Sequence, residues 1–327
     1  MLMRWLKCSI CMLLLGLLPV ALAQTAPKMI ALTFDDLPVS TIGQNTEPEI
    51  RQQAAEITAK ILQTLKRHNI HATGFVIEMN LNTPGARDFY AGLLEDWLRD
   101  GHLLGLHGYS HLQFGEVTLS AYEDDFLRGD VIVPLLLDYR GIKERYFRYP
   151  YNDTGNTAGK KNRFLAFLAA HGYAPAPWTF ENDDWMYASL YDDALARKDG
   201  ALAKRVKLEY LAESQRKIAS IEKLSEMDFH RQIPQVADLH VTRMNADLLD
   251  ELLNLFERSG YRFISMQEAL ADPAYKTEDR FVGSDGISWL LRWQPALGIP
   301  IHWDDDAEAP KWVQDAYTAL EKSGAPL

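Results

Sequence analysis

The sequence predicts an α/β fold in which parallel strands alternate with helices and the sheet closes, or nearly closes, into a barrel. Three observations carry this. Short apolar runs bounded by turn residues alternate with helical stretches along most of the chain. Seven such runs can be counted between Met29 and Ile264, enough to close a ring. Asp35, Asp36, His107, Arg148, Asp184 and His240 all follow closely on the ends of these runs. Barrels of this class carry their chemistry at the carboxyl ends of the strands.

The elements follow in order. Met29-Ile-Ala-Leu-Thr-Phe34 reads as a buried strand that stops at two aspartates. Thr46-Glu47-Pro48-Glu49 is a capping-box pattern with an early proline, opening a helix whose apolar face is Ile50, Ala54, Ile57, Ile61 and Leu65. His71 to Ile77 is the second strand, and Arg87 to Asp100 a helix stopped by Gly101. Leu103 to Leu106 is the third strand. A helix over about Ser120–Asp138 leads to strand Arg145–Arg148, and one over about Gly159–His171 leads to strand Tyr173–Thr179. A long polar helical segment, about Tyr191–Leu224, precedes strand Gln235–Leu239. Helix Asn245–Ser259 ends at Gly260, and Tyr261–Ile264 is the seventh strand.

Residues 1–23 read as a signal peptide: Arg4 and Lys7 are basic, Ile10 to Val20 apolar, and Ala21-Leu22-Ala23 a small-residue cleavage site. The apolar run is shorter than the roughly 20 residues that span a bilayer. Export across an inner membrane into the periplasm is therefore expected, with no stable membrane anchor after cleavage. Cys8 and Cys11 both fall in this segment, so the remaining chain would rest on its core without disulfides. Removing Arg4 and Lys7 takes the formal charge from −11 to −13, which argues against nucleic acid or an anionic membrane as partner. A neutral or cationic polymer suits such a surface. The oligomeric state is not fixed by the sequence.

Chemistry concentrates first in His107-Gly-Tyr-Ser-His111. Two imidazoles four residues apart can converge on one metal ion, but a zinc-type site usually takes three protein ligands. The missing ligand should be a carboxylate, and Thr33-Phe34-Asp35-Asp36 offers one at the end of a buried run. Each of these patterns is commonplace alone: Asp-Asp is most often a turn or cap, Arg148 a surface ion pair, His240 a satisfied histidine.

Taken together and in order, they resemble the polysaccharide deacetylases of the NodB-homology type, carbohydrate esterase family 4. Thr33-Phe34-Asp35-Asp36 is similar to that family's first motif, His107-Gly-Tyr-Ser-His111 to the second, and Arg148-Tyr-Pro150-Tyr151 to the third. Asp183-Asp184-Trp185 is similar to the end of the fourth and Leu239-His240 to the end of the fifth. The resemblance runs from about Met29 to Leu270 and implies a distorted (β/α)7 barrel. Glu181 stands where the family's fourth motif opens with aspartate, and Ala237 where the fifth has leucine; both bear on pocket shape.

What the resemblance implies is a hydrolase removing N-acetyl groups from a glycan that contains N-acetylglucosamine. Asp36, His107 and His111 would hold one divalent metal ion, most simply Zn2+, with Co2+ or Ni2+ as alternatives. Asp35 would be the general base, held by Arg148. His240 would be the general acid, kept basic by Asp184. The backbone N–H of Tyr151 would meet the oxyanion, and Pro150, Tyr151 and Trp185 would line the acetyl pocket. The partner is then an acetylated glycan, of a kind the sequence does not name. A glycan-binding protein of the same fold without turnover is the other class, and a non-sugar amide or an O-acetyl ester the other substrates. A binder has no need of both a base and an acid.

The resemblance sets residues 24–272 as the catalytic domain, leaving 273–327 as a C-terminal extension. Trp289, Trp293, Trp303 and Trp312 are half of the chain's eight tryptophans. The expectation is that they pack the extension on the barrel; lining a sugar groove is the alternative. His68, His71, His102, His171, His230 and His302 are expected to be structural. Glu123-Asp124-Asp125 and Asp304-Asp305-Asp306 are expected to be solvated charge clusters.

Overall fold

The structure is a computed structural model and describes residues 27–40, 47–283 and 286–324. The expected signal peptide and the capping threonine Thr46 lie outside the described residues. The elements in chain order are β1 (Lys28–Leu37), α1 (Glu47–Arg67), β2 (Thr73–Val76), α2 (Arg87–Arg99), β3 (Leu103–Leu106), α3 (Leu119–Gly129) and α4 (Ile132–Tyr139). Then come β4 (Tyr146–Phe147), α5 (Ala158–Ala170), β5 (Ala174–Pro175), α6 (Asp184–Ala196), α7 (Gly200–Phe229), β6 (Gln235–His240), α8 (Arg243–Arg258) and β7 (Tyr261–Ile264). After β7 come α9 (Met266–Leu270), α10 (Trp289–Trp293) and α11 (Lys311–Lys322).

All seven strands pair in parallel, in the order β5-β4-β3-β2-β1-β6. β7 lies beside the first half of β1, where Ile30 faces Phe263 on one edge and Gln235 of β6 on the other. The chain after β5 then turns back to the far edge: Thr179 and Phe180 donate to Val236 O at 2.9 and 3.1 Å, and Asp238 donates to Phe180 O at 2.8 Å. The fifth run is thus two short pieces, one pairing with β4 and one with β6, and through them the curled sheet meets its own edge. The fold is the distorted (β/α)7 barrel.

Two expected helices are each broken in two. The stretch 120–138 divides at Asp130–Val131, because Pro134 lacks an N–H and its ring would clash with the carbonyl of Asp130 four residues back. The buried Glu78 carboxylate accepts the freed Ile132 N–H at 3.0 Å and so starts α4. The segment 191–224 proves to be α6 and α7, separated at Lys198 (φ 57°), with the Asp199 side chain capping α7 through Leu202 N–H at 3.0 Å. α6 begins at Asp184, which places a site residue on the first turn of a helix.

Residues 273–283 and 286–324 lie against the barrel and α7. Trp289 donates its N–H to Trp178 O at 3.1 Å, Ser288 its hydroxyl to Thr179 O at 3.0 Å, and Trp289, Trp293 and Val313 are buried. Trp303 is exposed, and Trp312 lies under the Arg205 guanidinium at 3.7 Å. Asp305 and Asp306 are not merely solvated: they pair with Lys223 at 2.5 Å and Lys217 at 2.8 Å.

Candidate active site

β1 and β6 set the frame. Their register places Asp238 opposite Thr33 and His240 opposite Asp35. Side chains two apart on a strand share a face, so these four project together from the pair. Asp36 should then point the other way. It does not need to, because the β1–β2 register shifts between Phe34 and Leu37 and Asp36 takes a left-handed backbone (φ 67°). Such a bulge re-aims one side chain, and it brings Asp36 to the same mouth as Asp35.

His107 follows β3 directly, its N–H donating to Val76 O at 2.9 Å. Its Nδ1 lies 2.9 Å from Arg148 O. A carbonyl only accepts, so Nδ1 carries the proton and the Nε2 lone pair is free. That Nε2 is 3.6 Å from Asp36 Oδ1, and His111 Nε2 is also 3.6 Å from the same oxygen. One ligand atom from each of Asp36, His107 and His111 lies within 4.8 Å of the others. Asp36 Oδ1 is buried with no hydrogen-bond partner among the described residues. Burial, followed by the neighbouring His111, pushes the His107 pKa down to about 3, and burial lowers His111 too. Burial alone would raise Asp36, but His111, His240 and His107 outweigh it and hold its carboxyl below the usual range. Two neutral imidazoles, one ionised carboxylate and an orphaned buried oxygen are the donor set and protonation state a divalent cation takes. The residues fit such an ion.

The loop between the two histidines is held from below. Asp125 accepts Tyr109 N–H at 2.9 Å, Ser110 N–H at 3.2 Å and the Ser110 hydroxyl at 2.5 Å. Gly108 takes a left-handed backbone (φ 74°), and a Cβ there would press on Asp125 Oδ2 at 3.0 Å. Asp125 is buried, which corrects its expected place in a solvated cluster. The signal was its spacing with Tyr122, Phe126 and Gly129 on the buried face of α3.

Arg148, fully buried, reaches from the end of β4 beneath β1. Its Nη2 donates to Thr33 Oγ1 at 3.0 Å, and its Nη1 lies 2.8 Å from Asp238 Oδ1 but 3.6 Å from Asp35 Oδ2. The Asp238 contact is a close ion pair without hydrogen-bond alignment, since neither atom meets that geometry. The expected Arg148–Asp35 pair is therefore the longer arm of a triad whose nearer carboxylate, Asp238, sequence reasoning missed. Its signal was alternation with His240 on β6. Asn152 donates to the other oxygen of Asp238 at 3.1 Å. Burial and then the Asp238 charge push the Asp35 pKa well above the usual range, against Arg148 and His240.

The opposite wall is fully connected. His240 Nδ1 is 2.7 Å from Asp184 Oδ1, and the His240 backbone N–H donates to Asp184 Oδ2 at 2.7 Å. Asn245 also donates to Asp184 Oδ2, and to His240 O at 2.8 Å, while Tyr210 donates to Asn245 Oδ1 at 2.7 Å. Burial would lower the His240 pKa, but the Asp184 charge and hydrogen bond overcome it and hold it well above its ordinary value. Nδ1–H is committed to Asp184, leaving Nε2 as the atom that can give a proton.

Pro150 is buried, while Tyr151 is exposed in a left-handed turn (φ 56°, ψ 12°) with its ring 4.5 Å from His111. Trp185, beside Asp184, is exposed as well. Glu181 curls back on its own turn, accepting Asp183 N–H at 2.6 Å. Ala237 lies on the face of β6 opposite to Asp238, where it packs within the core. Of the other histidines, His102 is buried and accepts Ala72 N–H at 3.1 Å.

The family sequence model described as polysaccharide deacetylase matches residues 23–173. The peptidoglycan-N-acetylglucosamine deacetylase PgdA of Listeria monocytogenes is 26% identical over 242 residues, covering 74% of this chain and 38% of that one. A peptidoglycan-N-acetylglucosamine deacetylase of Bacillus cereus is 26% identical over 156 residues, 48% of this chain and 46% of its own. A chitin deacetylase of Arthroderma benhamiae is 23% identical over 250 residues, 76% of this chain and 53% of that one. The chain thus spans less than half the length of the Listeria and Bacillus relatives. Among solved structures, a polysaccharide deacetylase of Bacillus cereus overlaps 73% of this chain and 91% of its own at TM-score 0.47 and 21% identity. The matched stretch contains the aspartate pair, both candidate ligand histidines and the Arg148–Tyr151 turn, three of the five motifs that the barrel gathers at one mouth. Over residues 23–173 the chain is similar to the polysaccharide deacetylase family.

Proposed function

We propose that this chain is a metal-dependent hydrolase that removes N-acetyl groups from a glycan containing N-acetylglucosamine. One observation carries the reading: an ion-ready set (Asp36, His107, His111) and a proton-holding pair (Asp184, His240) flank the same two strands, with a buried base candidate, Asp35, between them. The ligand types favour zinc. An ion held there would lower the pKa of water from about 15.7 towards about 7 and polarise the acetyl carbonyl.

The chain's own residues supply the rest. Asp35 takes the proton of the attacking water, and Arg148 with Asp238 holds the charge balance beneath it. The Tyr151 N–H meets the developing oxyanion. As the carbon–nitrogen bond breaks, His240 gives its Nε2 proton to the departing sugar nitrogen, and Asp184 stabilises the imidazolium that makes this available at neutral pH. Trp185 and Tyr151 wall the acetyl group, over Pro150. Acetate and a free amine result.

A glycan binder without turnover has no use for a base and an acid poised on opposite sides of an ion site, so their pairing favours the enzyme. Residues 24–272 would be the catalytic domain and 273–327 the extension. Among the described residues no helix is long and apolar enough to cross a membrane; with the expected signal peptide, the periplasm is the proposed location. The named substrates of the Listeria and Bacillus relatives make peptidoglycan the first glycan to test, ahead of chitin fragments and exopolysaccharide. The test is acetate release across these glycans, with zinc, cobalt or nickel restored after chelation. No release from any of them with any metal would overturn the reading.

A further inference from the structure

α11 lies beside α6, the helix that opens with Asp184 and Trp185. It is held there by more than shape. Val313 is fully buried. Just before α11, Ala309 donates its N–H to Asp183 Oδ2 at 2.9 Å, and Asp306 pairs with the buried Lys217 at 2.8 Å. Asp183 is the left-handed residue (φ 54°) that caps α6, so this strap grips the turn from which both Asp184 and Trp185 spring.

One side chain of α11 goes further than packing. The Tyr317 ring meets Trp185 at 4.9 Å with the planes perpendicular. Burial comes first among the influences that raise the Tyr317 pKa, followed by Glu321, with Tyr151 the smallest. Trp185 keeps 38% of its surface exposed and Tyr151 54%. Three aromatic side chains from three separate parts of the chain thus stand at the site residues: Tyr317 on Trp185, Trp185 next to Asp184, and Tyr151 on His111. Two of them are exposed where a buried core would have covered them. Aromatic faces carry negative quadrupole density and suit the C–H face of a pyranose ring.

We propose that Tyr317, from the C-terminal extension, is a substrate-contacting residue: with Trp185 it forms a sugar-binding wall that the catalytic barrel lacks without the extension. This deepens the deacetylase reading and rests on it for the class of ligand. The sugar beside the acetylated ring lies against the Tyr317–Trp185 corner, and α11 is part of the binding site as well as of the fold.

The test is binding of the N-acetylglucosamine tetramer to the zinc-loaded full chain carrying His240→Ala, so that the ligand survives the titration. Adding Tyr317→Ala should weaken binding about three- to tenfold, the worth of one aromatic contact. Tyr317→Phe, which keeps the ring and loses only the hydroxyl, should stay within about twofold of the parent. Thermal unfolding is followed for every variant, and Val313→Ala serves as the control for loosening α11. That change should lower the melting temperature and leave affinity unchanged. Unaltered binding by Tyr317→Ala, or an equal loss in Val313→Ala, would overturn the proposal, as would a parent that does not bind the tetramer. The two readings separate cleanly. Tyr317-dependent binding with no acetate release by the unmutated enzyme would sink the hydrolase and keep the wall. Normal release with Tyr317-independent binding would do the reverse.

Discussion

The two sides of the mouth are built on opposite principles. On the β3 side, Asp36, His107 and His111 leave atoms unsatisfied: an orphaned carboxylate oxygen, and two imidazole nitrogens at 3.6 Å that do not bond to it. On the β6 side, the hydrogen bonds of Asp184 reach the imidazole and backbone of His240 and the amide of Asn245, with Tyr210 behind. A buried polar group without a partner costs about 1–3 kcal/mol, so the first side is organised for something it must receive. The second is complete as it stands, and its task is to hold a proton. The contrast supports the proposed roles, in which the side with free lone pairs binds an ion and the saturated side titrates.

The sharpest way to break the contrast is to remove a vacant lone pair. Asp36→Ala or His111→Ala leaves two ligands, too few to keep a zinc-type ion against solvent. Metal retention should vanish and acetate release should fall by at least about 10³-fold, the equivalent of several kcal/mol of charge stabilisation. Stoichiometric metal in either purified variant, measured by elemental analysis, would end the ligand assignment. Next in size is His240→Ala, which should keep its metal and lose on the order of 10²- to 10⁴-fold in turnover. Loss of metal there would make His240 a ligand after all, and the division between the two sides would collapse.

Asp184→Asn probes the saturated side more gently. The His240 pKa is raised, so it stays protonated to higher pH than a free imidazole. Removing the Asp184 charge should move the alkaline limb of the activity profile to lower pH while the acid limb, set by the base, stays put. The same linkage acts on stability. A folded pKa above the unfolded value of about 6.5 means that the contact contributes fully below about pH 6.5 and is lost as pH rises through the raised pKa. Wild type and variant should therefore differ most in unfolding free energy at acid pH and converge at alkaline pH, provided neutral packing is unchanged. A pH-independent difference would show that Asp184 acts by shape alone.

What could be read from the sequence follows the same division. Candidate site residues that sit in contiguous patterns, such as His107-x-x-x-His111 or Arg148-x-Pro150-Tyr151, are visible because local backbone places them together. Strands β3 and β7 were read with their observed limits because each is a short apolar run between turn residues. Partners recruited from afar were not visible. Asp238 acquires meaning only when the register brings it opposite Thr33, and Asn245 only when α8 presents its third residue to Asp184. The broken helices failed for a different reason. Pro134 and the Lys198–Asp199 corner are local signals, but the long helical pattern around each outweighed them. The bulge at Asp36 is only weakly marked in the sequence: aspartate tolerates a left-handed backbone better than most residues, but nothing in its neighbours calls for one there.

The smallest expected effect tests whether the vacant side depends on a saturated support of its own. Asp125 touches no ligand atom, yet it accepts three donors from the two residues between Gly108 and His111. Its removal by Asp125→Ala would leave two backbone N–H groups and a hydroxyl to find water, at about 1–3 kcal/mol of stability. The histidines would remain, but His111 would lose the turn that holds it in its left-handed conformation (φ 58°). Supporting contacts of this kind typically contribute 10- to 100-fold to metal affinity, and the lower end is expected because Asp125 acts through the backbone. Competition with a chelator should thus show zinc bound about tenfold more weakly, with turnover near that of wild type once metal is saturating. Asp125→Asn, which keeps one acceptor oxygen, should fall between the two. Unchanged zinc affinity in Asp125→Ala would mean that the loop holds its shape through Gly108 and the packing of α3 alone, and that the ion site needs no polar support beneath it.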